Sequence, residues 1–186
     1  MNNYLEHTVS KTTIDFFTEQ ARQKIENEKW LGRNKEVKIQ NFVHCWITEE
    51  AFKQLLMQKK ITLRNRGLYF GDAAGAGEDF VIKQGEKEVS IGLRSVAPDS
   101  LNKYKSVAYP DDRFRTEQHK IADFIVVCHN SNGCVKFYGA INKSTLLSEL
   151  EKSRKLYSKM NQEYFRVVPL ELFSFRTLQQ LFITTE

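Results

Sequence analysis

Prolines are scarce in this sequence, with three in 186 residues, and cysteines number only three. Few prolines, 41% hydrophobic residues and 12% aromatics exclude a long disordered chain. Cys45, Cys128 and Cys134 show no C-x-x-C spacing, and an odd count with no secretory leader in view points to reduced thiols, not a disulfide framework. The pairs His44-Cys45 and Cys128-His129 suggest zinc at a glance, but neighbours on a strand face opposite ways and do not share a tetrahedral ion. No apolar run approaches the ~20 residues that cross a bilayer. The N-terminus lacks the basic-then-apolar pattern of a signal, so a cytoplasmic location without membrane partners is expected.

Several catalytic signatures are missing too. The small-residue stretch Gly71 to Gly77 has no Gly-Lys-Ser/Thr ending, and a strand follows it where a phosphate cradle needs a helix N-terminus. No Gly-x-Ser-x-Gly elbow occurs, which removes support for acyl transfer.

What is present is a basic bias, with a net charge of +5. Residues 53–66 carry Lys53, Lys59, Lys60, Arg64 and Arg66 with no acid among them, and 152–159 adds Lys152, Arg154, Lys155 and Lys159. Solvated helix faces account for any one of these; two acid-free clusters together suit a phosphate-tracking surface.

Periodicity predicts a first helix over 11–29, from the stripe Ile14, Phe17, Ala21 and Ile25. Residues 42–47 read as a short strand or buried turn, and 48–58 as a second helix capped by Thr48 with Glu49 and Glu50 in its first turn. Then come β-like runs at 67–72, 79–83 and 88–95, the last two joined by a turn at 84–86. A looser stretch follows between Pro98 and Pro110. Further elements are a helix at 111–122, strands at 123–129 and 135–141, a helix at 145–160, a strand at 164–170 and a helix at 174–183. The whole suggests one domain spanning 1–186, of mixed α/β class with one central sheet flanked by helices.

Within the meander, Asp79 enters one strand and Arg94 ends the next, so the two share a face if the register allows. This arrangement of a helix, a three-strand meander, a helix and a following strand, over most of residues 11–141, resembles the restriction endonuclease-like, or PD-(D/E)XK, nuclease superfamily. The resemblance implies a mixed central sheet and a Mg²⁺-dependent endonuclease acting on DNA, with a homodimer for cutting both strands. It matches Asp79 to the first carboxylate, a metal ligand. Arg94 stands at the lysine position, Gly92 at the second acid position, and Leu93 between them offers its backbone carbonyl to the metal. Glu28 on the first helix is the candidate replacement acid, with Asp72 and Glu78 as others. Lys59, Lys60, Arg64, Arg66, Arg113, Arg115 and Lys120 would contact the backbone, with Gln118 beside them and Tyr104 and Tyr109 available to stack on bases. Gly92 supplies no carboxylate, and an arginine with pKa above ~12 cannot act as a base. A non-catalytic, nucleic-acid-binding or partner-binding descendant of the same fold is therefore the alternative, as is a plain Asp79–Arg94 cross-strand pair.

Overall fold

The computed structural model describes residues 3–27, 34–65, 78–159 and 163–183. Its helices are α1 (Lys11–Asn27), α2 (Lys35–Gln58), α3 (Pro98–Asn102), α4 (Asp111–Thr116), α5 (Lys143–Lys152) and α6 (Phe175–Gln180). The strands are β1 (Leu5–Thr8), β2 (Leu63–Asn65), β3 (Phe80–Gln84), β4 (Lys87–Ser95), β5 (Ser106–Pro110), β6 (Phe124–Ser131), β7 (Cys134–Asn142), β8 (Leu156–Ser158) and β9 (Glu163–Pro169). The chain is mixed α/β, but two sheets replace the single one expected: a six-stranded sheet ordered β1-β7-β6-β4-β3-β2, and a small one ordered β5-β9-β8. Among the described residues no helix is long and apolar enough to cross a membrane.

Residues 42–47 are neither strand nor turn. They lie inside α2, which starts at Asn34, whose side chain accepts from the Glu36 amide at 2.8 Å. The aromatic and β-branched residues that favour a strand there are used to pack instead: Trp46 stacks on Phe42 and meets Phe17 of α1 edge-on. Tertiary burial overrides local propensity. Thr48 is consequently no cap; it is buried mid-helix, its hydroxyl donating to the His44 carbonyl at 2.8 Å.

The six-stranded sheet divides the core by strand alternation. On β6, Val126 and Cys128 face α1 and α2, packing with Phe17, Phe52 and Phe137. Ile125 and Val127 face the other way, against the small sheet and α5. Val127 pairs with Gly139 and Cys128 with Phe137, so Tyr138 is an extra residue, a bulge that shifts the alternation so that Phe137 and Ala140 share one core. Gly139 is obligatory: a Cβ there would stand 2.2 Å from the Phe173 carbonyl oxygen, because the chain at 173–174 lies against β7.

The looser stretch expected at 98–110 is α3 and β5, and the helix expected to 160 ends at Lys152, its tail forming β8. The helix expected over 111–122 stops at Thr116, with a 3₁₀ turn at Gln118–Lys120. These departures share a cause. β5 and β8 are short strands that both pair with β9, β5 across a long stretch of chain (Tyr109 with Arg166) and β8 as its hairpin neighbour (Leu156 with Phe165). One buried carboxylate ties them together: Asp111, fully enclosed, receives Arg166 Nε at 2.6 Å, an Arg115 nitrogen at 2.7 Å and Lys155 Nζ at 3.1 Å. The expected strand at 67–72, and Glu28, Trp30, Arg66 and Asp72, lie outside the described residues.

Candidate functional site at the end of the central hairpin

β3 and β4 are joined by a two-residue turn at Gly85-Glu86, with Gly85 at φ +59° in the left-handed region that glycine adopts freely. That turn sets the register, Phe80 opposite Ile91. Alternation then brings Asp79 opposite Gly92, on the face that also carries Arg94. The ladder stops there. Beyond it Asp79 Oδ2 accepts the Leu93 amide at 2.5 Å, while its own amide donates to the Ile91 carbonyl. It is therefore the Leu93 N–H that meets this carboxylate, which takes over from a backbone carbonyl as the acceptor.

On its far side β4 runs parallel to β6, with Arg94 beside Val127. The strand thus lies where the sheet changes from antiparallel to parallel, and Arg94 sits near its C-terminal end, the position at which open α/β sheets present ligand sites. Arg94 is half-buried and lays its guanidinium over the Tyr109 ring, 4.7 Å from the centroid. Tyr109 is itself 5% exposed. It cannot stack on a base, as the sequence suggested, but serves as a shelf that orients the arginine.

From the other side α2 brings Cys45 and Glu49, one turn apart on a helix face. Desolvation pushes the Cys45 thiol up to about 11, with Glu49 and then Asp79 adding to the rise and Arg94 opposing it. The Cys45 thiol thus senses Glu49, Asp79 and Arg94. Glu49, which sequence reasoning placed in a helix first turn, lies inside α2, the helix whose His44 bonds to Ser95 on the sheet face opposite Arg94. Burial also raises the Cys128 thiol strongly, with further pushes from Asp79 and Cys45, which keeps that thiol protonated at neutral pH, whereas Cys45 is exposed.

Beside this spot the α2–sheet seam carries a polar network. His44 Nε2 bonds to Ser95 Oγ at 2.7 Å, His129 Nδ1 meets the Val96 carbonyl at 2.8 Å, and Asn130 donates to the His44 carbonyl at 3.4 Å. Burial, then His129, lowers the His44 pKa, keeping that ring neutral. The start of β6 is pinned to β4 by Asp123, whose Oδ2 accepts from Ser90 N and Oγ at 2.8 and 2.7 Å.

The predicted phosphate contacts spread more widely. Lys59 caps α2 and Lys60 follows it at φ +56°. Arg64 lies on the edge strand β2, 3.3 Å from Glu88, both well exposed. Arg113 and Lys120 both pair with Glu117, at 3.7 and 3.0 Å, and Arg115 is committed to Asp111. Glu78 is described next to Asp79, whereas Glu28, Arg66 and Asp72 are not. Among the described residues no three His, Cys, Asp or Glu side chains gather to hold an ion. No family model and no curated protein matches this sequence.

Proposed function

We propose that this protein is a DNA-binding domain of restriction endonuclease-like architecture that grips a backbone phosphate with Arg94. The observation that carries the reading is the register of the central hairpin, which brings Asp79, Gly92 and Arg94 onto one face at the antiparallel-to-parallel switch of the sheet. What supports that architecture is the order of α2, the β2–β3–β4 meander, the intervening helices and the parallel strand β6. Arginine is suited to phosphate because its planar fork donates two parallel hydrogen bonds and keeps its charge. The Tyr109 shelf fixes the guanidinium plane before the ligand arrives, which lowers the ordering cost of binding. With Gly92 in the acid position and Asp79 occupied by the Leu93 amide, the local chemistry favours holding a phosphodiester over cutting it.

Asp79, at the first-carboxylate position, supports a second reading, Mg²⁺-assisted hydrolysis. Mg²⁺ accepts one or two protein carboxylates and fills its shell with water and phosphate oxygens. Bound there, the ion would supply charge neutralisation and an acidified water. Asp79 would hold it and Arg94 would orient the phosphate; a second copy of the chain would be needed to cut both strands.

A labelled DNA duplex titrated with protein in chelator and in Mg²⁺, followed by denaturing electrophoresis, separates the readings. Binding in chelator that weakens about 10-fold or more in Arg94→Ala is expected, since hydrogen bonds to charged groups contribute about 1.5–3 kcal/mol. Mg²⁺-dependent strand cleavage abolished by Asp79→Asn would establish the second reading instead. Equal duplex affinity in Arg94→Ala would refute both.

A further inference from the structure

The small sheet carries a surface that the central hairpin does not use. Tyr157 of β8 and Tyr164 of β9 are direct cross-strand partners, with ring centroids 5.0 Å apart and planes at 58°. Both stay open to solvent, 53% and 50% exposed. A tyrosine pair that only stabilised a hairpin would gain by covering its rings. These are instead backed from one side and left bare on the other: Lys155 Nζ lies 4.1 Å from the Tyr164 centroid and reaches on to the enclosed Asp111.

That anchor is stiff. Asp111 is gripped by Arg166, whose guanidinium also donates to the Leu150 and Ser153 carbonyls at 2.9 and 2.7 Å. The ledge is thus held in place before any ligand binds. Its surroundings are basic on balance, with Glu163 at the start of β9 and Glu171 in the nearby cleft as the acids beside it. Arg154 and Lys159 are exposed in a segment, 152–159, that contains no acid. Arg154 also lines a cleft of about 530 Å³ together with Lys105, while Lys152 there is neutralised by Glu149.

We propose that the β8–β9 hairpin is a base-stacking ledge for single-stranded nucleic acid, with Tyr157 and Tyr164 receiving bases and Arg154 and Lys159 tracking the phosphates. Bare aromatic faces beside cations match a polynucleotide whose bases are free to leave their own stack; a duplex offers only base edges and phosphates. The site shares with the reading above only the premise that the ligand is a nucleic acid, since it uses other residues on the other sheet.

The test is fluorescence anisotropy with labelled oligothymidylate and oligouridylate of about 15 nucleotides, and with an abasic strand of the same length. The abasic strand is expected to bind about 10-fold more weakly than the base-bearing ones. Tyr157→Ala and Tyr164→Ala should each cost about 10-fold for single strands, Tyr→Phe changes less than about 2-fold. Comparison of the two sugars shows whether the 2′-hydroxyl matters. Arg94→Ala should leave single-strand binding intact, and the tyrosine variants should leave duplex binding intact, so this site and the hairpin site fail separately. Absence of single-strand binding, or equal affinity for abasic and base-bearing strands, would overturn the proposal; the abasic comparison decides it even where an alanine variant does not fold.

Discussion

Removing the Asp79 carboxylate tests what holds the hairpin end together. Asp79→Ala deletes the acceptor of the Leu93 amide and leaves that N–H in a half-buried position with no carboxylate to receive it. An orphaned donor of this kind costs about 1–3 kcal/mol. In a chain of this size each kcal/mol moves Tm by about 2–4 °C, so a fall of roughly 2–12 °C is expected. Asp79→Asn keeps a carbonyl oxygen in place and should lose less than about 1 kcal/mol, the difference between a charged and a neutral acceptor. Calorimetry of the three proteins reads these values, and amide exchange at Leu93 localises the effect: faster in the alanine variant, near wild type in the asparagine variant. The same pair reports on function. If Arg94 alone grips the phosphate, Asn at 79 removes a repelling charge and duplex affinity in chelator stays level or rises. If Asp79 is a Mg²⁺ ligand, the asparagine variant loses its Mg²⁺-dependent affinity. An alanine variant with unchanged Tm and unchanged Leu93 exchange would refute the capping role.

Gly139→Ala should destabilise by about 3 kcal/mol or more, seen as a lowered urea midpoint, because its Cβ meets a backbone carbonyl that cannot rotate away. His44 has a pKa lowered from 6.5 by burial and by His129, so the unfolded chain binds the extra proton more readily. Its contribution is present above pH 6.5 and is lost as pH falls through 6.5 toward the folded pKa. Urea midpoints measured from about pH 8 to pH 5 should fall less for His44→Gln than for wild type; parallel curves would remove His44 as the cause. Lys59→Glu with Lys60→Glu should flatten the salt dependence of duplex binding by about 1.8 in slope if both contact phosphates, whereas Arg64→Glu should do less because Glu88 already engages that arginine.

The parts of this fold that could be read from residues alone are those whose pattern is local. The stripe Ile14, Phe17, Ala21 and Ile25 announces α1, and the alternation of Val89, Ile91 and Leu93 announces β4 with its turn. Once Gly85 fixes that turn, the shared face of Asp79 and Arg94 follows, so the heart of the candidate site was legible. α2 was not, because Phe42 to Ile47 has strand-like residues whose helical state is decided by packing against Phe17. The small sheet was hidden for a different reason. β5 and β8 are short, and β5 finds its partner β9 far away in sequence, with Asp111 meeting Arg166 across 55 positions. Long-range pairing leaves no periodic trace in a short window. The Tyr109 shelf under Arg94 was missed on the same account, because it depends on β5 existing at all.

Arg94 itself gives the most direct measurement. In isotope-labelled protein titrated with a DNA duplex, the Arg94 Nε–Hε resonance should shift in step with the binding isotherm and exchange more slowly with solvent as the phosphate engages it. An Arg94 resonance that stays put at saturating duplex, while lysine and backbone signals elsewhere move, would contradict a phosphate site at the end of β4.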